Sequence, residues 1–162
     1  MHKSLWVITT TLLILVLSAC GNASTDSDTS NTGTNSETES VEVVFGSDTY
    51  LVETVGNWSL LAGNLSNVDM TLQYLPTPDF GMSPEETIST LSSTSIDELA
   101  LTEANGQQLY VQSDADNQPS RIYAVYNGET VLQFNVITIS SAENIDASLQ
   151  EALQILSSAQ LQ

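Results

Sequence analysis

Arg121-Ile122-Tyr123-Ala124-Val125-Tyr126-Asn127-Gly128-Glu129-Thr130-Val131-Leu132-Gln133-Phe134-Asn135-Val136-Ile137-Thr138-Ile139 is the stretch whose reading decides the fold. Two β-prone runs flank Asn127-Gly128, and Asn-Gly supplies the two positive-φ positions of a type I′ hairpin turn, whose twist matches that of paired strands. Residues 131–139 are too apolar for a solvent-facing edge, so the second strand is expected near the centre of an antiparallel sheet. The same signal recurs upstream, where residues 99–103 and 107–113 flank Asn105-Gly106. A polar loop, residues 114–120, joins the two hairpins.

Working outward, Val68-Asp69-Met70-Thr71-Leu72-Gln73-Tyr74 alternates with period two and places Val68, Met70, Leu72 and Tyr74 on one face of a half-buried strand. Residues 50–55 and 58–62 read as strands joined at Gly56-Asn57, and residues 41–45 form a short β-prone run ahead of them. Pro76 and Pro78 end the alternating strand. Ser83-Pro84-Glu85-Glu86 then has the form of a capping box with proline at the first helical position. The helix is expected to run to about Ser92 and to bury Ile88 and Leu91, and residues 96–99 offer a further turn. Near the end, Ile145, Leu149, Ala152, Leu153 and Leu156 recur at helical spacing, with Asn144 as N-cap and Asp146, Ser148, Gln150 and Glu151 on the opposite face. The order is β-β-β-α-β-β-β-β-α. This predicts an α+β fold, an antiparallel β-sheet packed with two helices, over residues 41–162.

Gly56-Asn57-Trp58 near an early strand, a helix after the third or fourth strand, a meander and a closing helix together resemble the PsbP-like fold, to which bacterial envelope lipoproteins of DcrB type are similar. The resemblance covers most of residues 41–162 and rests on topology plus a single Gly-x-Trp. It implies a sandwich architecture and a non-enzymatic role as an extrinsic or accessory protein of a membrane complex. It brings no catalytic motif. Members that dock through basic residues find no counterpart here.

The N-terminal end gives the address. His2 and Lys3 precede an apolar run over residues 5–17, broken by Thr9-Thr10-Thr11, and Leu17-Ser18-Ala19-Cys20 closes it. This is similar to the signal peptide and lipobox of a bacterial lipoprotein, in which the cysteine is acylated and becomes the new N-terminus. A transmembrane anchor needs about 20 apolar residues, and this run is shorter. An ordinary secretory signal would also end in small residues, but Cys20 is the only cysteine in the chain and sits where lipidation requires it. Two acyl chains suffice for stable anchoring, since each buried CH₂ contributes about 0.8 kcal/mol. Residues 1–19 are thus read as signal peptide. Residues 20–40 are read as the lipidated cysteine and a disordered Ser/Thr/Asn-rich linker, with Ala23 its only apolar side chain after Cys20. As a flexible coil such a linker spans roughly 25 Å. The expected location is the extracytoplasmic side of a bacterial cell membrane, with the outer membrane as the site in a cell that has one.

Composition excludes more than it assigns. The formal net charge is -18, from 20 acidic residues against two basic ones. Beyond Cys20, Arg121 is the sole Lys or Arg, and histidine is absent. No basic patch exists to neutralise phosphates, so nucleic acid is not an expected partner. Triads of Ser-His-Asp or Cys-His type, a Ser-Lys dyad, and zinc or redox-metal sites all lack their parts. Paired carboxylates remain for a hydrolase, at Glu85-Glu86 and Asp97-Glu98, although capping already accounts for the first pair.

Four further features carry candidate sites. Asp114-Ala115-Asp116-Asn117-Gln118 places oxygen ligands at a Ca²⁺-like spacing, with Asp114 and Asp116 as the metal ligands. Pro119 and Val125 break the EF-hand pattern at its sixth and twelfth positions, and a polar hairpin connection is the competing reading. Arg121 either clamps a ligand carboxylate bidentately or pairs with a neighbour such as Asp114 or Asp116. Trp58 is either a core anchor or a stacking platform for a ligand. In the loop Pro76-Thr77-Pro78-Asp79-Phe80-Gly81-Met82, Phe80 and Met82 either tuck over the sheet edge or form an apolar knob for an envelope protein partner. The expectation is a lipid-anchored, non-catalytic interaction or accessory module without a cofactor. A small-ligand or Ca²⁺-binding lipoprotein is the alternative, and a carboxylate-based hydrolase stands third.

Overall fold

Residues 38–139 and 141–162, described by a computed structural model, are mostly strand. The readings made on residues 1–37, the signal peptide, Cys20 and most of the linker, lie outside the described residues. Ten strands and two helices follow in order. They are β1 (Glu39–Phe45), β2 (Asp48–Thr54), β3 (Ser59–Leu61), β4 (Asn64–Ser66), β5 (Met70–Leu75), α1 (Pro84–Ser92), β6 (Ala100–Ala104), β7 (Gln107–Ser113), β8 (Pro119–Tyr126), β9 (Thr130–Thr138), α2 (Ile145–Ser157) and β10 (Gln160–Leu161). A 3₁₀ turn at Ile96–Glu98 lies between α1 and β6. All recorded strand pairings are antiparallel.

The strands form a seven-stranded sheet, in the order β3-β4-β5-β9-β8-β7-β6, and a three-stranded one, in the order β1-β2-β10. The apolar β9 takes the middle position of the larger sheet, as its composition demands. Both faces of that sheet are covered, so β8 is buried on both sides. Its Ile122, Ala124 and Tyr126 join the larger core with α2 and the small sheet, while Tyr123 and Val125 join a second core with Ile88 of α1 and Leu99. Three layers result. Aromatic contacts tie the small sheet to the large one: Phe45 of β1 meets Phe134 of β9 edge-on at 5.3 Å, and Tyr50 of β2 meets Tyr126 of β8 in the same way at 5.1 Å.

Both Asn-Gly turns form, with φ of 52° and 74° at Asn105-Gly106 and of 51° and 72° at Asn127-Gly128. In the second, the Glu129 N–H closes onto the Tyr126 carbonyl at 3.1 Å, but Tyr126 pairs with Thr130, so Glu129 is an extra residue in the loop. The α1 cap forms as read: Glu86 N–H donates to Ser83 Oγ at 3.3 Å, and Ser83 N–H donates to Glu86 Oε2 at 3.1 Å.

Several expectations are corrected. The expected linker boundary at Ser40 falls inside β1, where Glu39 pairs with Thr54 and accepts a hydrogen bond from its hydroxyl at 3.1 Å. Residues 50–55 and 58–62 are not a hairpin, because β2 lies in the small sheet and β3 in the large one. Gly56-Asn57 carries the chain between them. The hairpins turn instead at Gly46-Ser47, where Gly46 has φ 65°, and at Ala62-Gly63, where φ is 48° and 84°. Five strands rather than three precede α1, and β10 follows α2 to complete the small sheet. Val68 leaves the buried face and is 70% exposed. The cause is local: Asn67 Oδ1 accepts the N–H groups of Asp69 and Met70 at 2.8 and 2.6 Å, so a turn takes the place of the strand's first two residues. In α2, Asn144 precedes the helix but makes no side-chain cap bond, and Ser148, expected on the polar face, is buried and linked to Asp69 and Asn67.

Candidate functional site

The loop between β5 and α1 is assembled from rigid parts. Pro76 and Pro78 fix two φ angles, and Gln133 Nε2 of β9 donates to the Pro76 carbonyl at 3.4 Å. Asp79 Oδ1 then accepts the N–H of Gly81 at 2.9 Å, closing a small turn in which Gly81 takes φ 61°. The capping box locks the next residues onto α1. Between these restraints Phe80 and Met82 stand 39% and 50% exposed. Both side chains are exposed rather than fully tucked over the sheet edge. The Met82 sulfur receives the Thr90 hydroxyl at 3.9 Å, which steadies the thioether against the helix.

Two hollows flank the pair. One, of 250 Å³, opens between the loop and the start of β9 and is lined by Thr77, Phe80, Met82, Glu129 and Val131 among others. The other, of 420 Å³, runs along α1 and is lined by Met82, Glu85, Glu86, Ser89 and Thr90. Acidic residues line both hollows: Asp79 from the loop and Glu129 from the β8–β9 turn in the first, Glu85 and Glu86 from the first turn of α1 in the second. The negative field reaches the sheet beneath, where burial first and the Glu85 carboxylate second push the Tyr110 hydroxyl above its ordinary pKa. Sequence reasoning found Phe80 and Met82 but not Glu129. No local signal could have placed that residue there, because the strand pairing of β8 and β9 delivers it. Thr77 Oγ1 is buried and has no hydrogen-bond partner among the described residues.

The remaining candidates lie elsewhere. Trp58 is 4% exposed in the larger core, and its Nε1 donates to Glu151 Oε2 of α2 at 2.9 Å. It is a core anchor, so the ligand-stacking reading is corrected. Arg121 Nη1 donates to the Leu91 carbonyl at 3.1 Å, rather than pairing with Asp114 or Asp116. Asp114 turns its carboxylate onto its own loop, where Oδ1 accepts the N–H groups of Asp116 and Gln118, both at 2.9 Å. These are the bonds that a polar hairpin connection makes. Among the described residues no group of three or more His, Cys, Asp or Glu is placed to hold a metal ion. Among the same residues no helix is long and apolar enough to cross a membrane. No known family model, curated protein or solved structure matches the chain.

Proposed function

We propose that this protein is a non-catalytic interaction or accessory module, held by lipid at Cys20 on the extracytoplasmic side of a bacterial membrane. The observation that carries the reading is the exposure of Phe80 and Met82 on a loop whose backbone is restrained at both ends. Restraint before binding lowers the ordering cost of association, and exposed apolar side chains beside hollows are the common anchors of protein interfaces. The absence of catalytic function draws support from composition: beyond Cys20 the chain has no histidine, lysine or further cysteine. Its one arginine is engaged with α1. The membrane anchor draws support from Leu17-Ser18-Ala19-Cys20 after an apolar run.

A PsbP-like arrangement is part of the same proposal. Gly56-Asn57-Trp58 between early strands, a helix after β5, the meander β6 to β9 and the closing α2 support it. The accessory role that this resemblance implies agrees with an exposed apolar loop.

Two variants test the reading. Phe80→Ser with Met82→Ser is expected to keep the thermal midpoint while abolishing photo-crosslinking to a specific envelope protein from a probe at Ser89, which lines the hollow beside Met82. Unchanged crosslinking would overturn the role of the loop. Cys20→Ser is expected to lose palmitate incorporation and to accumulate with its signal uncleaved; normal processing and membrane retention would overturn the anchor.

A further inference from the structure

Asp79 and Glu129 line the hollow beside Phe80 and Met82, Glu85 and Glu86 line the one beside Met82, and among the described residues no Lys, Arg or His lines either. Asp79 and Glu86 each use one oxygen on a neighbouring N–H group, at 2.9 and 3.1 Å. The Glu85 and Glu129 side chains have no hydrogen-bond or ion-pair partner among the described residues. Arg121, the sole Lys or Arg beyond Cys20, is committed to the Leu91 carbonyl at the far end of α1. In water these carboxylates are individually well solvated and cost the fold little. Their joint effect is a negative field focused on the hollows beside an apolar centre.

We infer that the occupant of this surface is a basic amphipathic segment of another protein, with apolar side chains seated against Phe80 and Met82 and Lys or Arg over Glu85 and Glu129. The inference rests on the interaction reading above and names the partner's chemistry. Charge complementarity selects this occupant over the others. A second copy of the chain would bring carboxylates against carboxylates, given a net charge of -18. An anionic lipid surface would be repelled for the same reason. A neutral apolar segment would fill the hollows but leave the carboxylates unpaired, forfeiting the attraction that speeds encounter and rejects wrong partners. The restrained loop contributes by presenting both side chains already in place.

The test uses the full-length protein in its own cells, with a photo-crosslinking residue at position 80 and, separately, at position 82. The crosslinked segment is identified by mass spectrometry. The expected result is one segment bearing apolar residues together with Lys or Arg, whose capture falls about fivefold to tenfold when Glu85→Gln and Glu129→Gln are combined in the same chain. A captured segment without basic residues, or capture unchanged in the double variant, overturns the inferred chemistry and leaves the interaction reading standing. A crosslink to a second copy of the chain has the same consequence. No specific capture from either position overturns the interaction reading itself.

Discussion

Arg121 on β8 donates its Nη1–H to the carbonyl oxygen of Leu91, in the last turn of α1, at 3.1 Å. From the neighbouring β7, Gln112 Nε2 donates to the Ser92 carbonyl at the same distance. The sheet thus supplies two donors to a helix end whose own last turn holds no basic residue. Carbonyl groups there have no partners within the helix and carry partial negative charge. Arg121, the sole Lys or Arg beyond Cys20, is engaged here, and this bond competes with a role as ligand clamp. Replacing it by Gln is expected to lower stability by about 1–2 kcal/mol, seen as a reduced urea midpoint at unchanged slope. A midpoint equal to that of the parent would return Arg121 to the pool of ligand-binding candidates.

Gly56 and Glu151 form a second long-range pair. Gly56 has φ 61°, and a Cβ there would stand 3.0 Å from Glu151 Oε1, whose partner oxygen receives Trp58 Nε1–H. Gly56→Ala therefore meets both backbone strain and displacement of the carboxylate. The expected loss is about 1–3 kcal/mol, with a change in Trp58 emission as its indole N–H loses its acceptor. Glu151→Gln keeps an acceptor and should shift the emission less.

Thr77 offers a change in the opposite direction. Its hydroxyl oxygen is buried without a hydrogen-bond partner among the described residues, so the isosteric Thr77→Val removes an unsatisfied polar atom. The expected effect on the thermal midpoint ranges from neutral to a gain worth about 1 kcal/mol. A clear loss of stability would show that the hydroxyl has a partner, such as an ordered water.

Alkaline pH should destabilise the fold in a defined window. Burial first and the Asp48 charge second raise the Tyr50 and Tyr74 hydroxyls above the ordinary value of 10.0. The unfolded chain ionises first, near pH 10, while the folded chain holds its protons. Stability from this source is complete below that pH and is lost as pH rises through the folded values. The urea midpoint is expected to stay level with respect to these two groups up to about pH 9 and to fall beyond pH 10, with Tyr50→Phe reducing the decline.

Much of the candidate site was legible in residue order. Pro76, Pro78 and the Ser83-Pro84-Glu85-Glu86 box define the loop and its exit through local φ limits and short-range hydrogen bonds, and these depend only on neighbours. The acidic lining of the hollows was not legible, because Glu129 reaches the loop through the β8–β9 turn and the pairing of β9 with β5. The same limit misread Gly56-Asn57. Its composition signals a turn, but whether a turn returns a strand to its neighbour or carries it to another sheet depends on which faces need cover.

By itself, then, the sequence determined the antiparallel α+β class, the central place of the apolar run over residues 131–139, the capped start of α1 and the two Asn-Gly turns. Each follows from periodicity, capping or turn chemistry within a few residues. Only the tertiary structure decided that β1, β2 and β10 form a separate small sheet, that Trp58 is bound to Glu151 and that Arg121 serves the end of α1. These choices are set by competition among distant partners for the same buried face or the same polar atom, and local residue order carries no term for that competition.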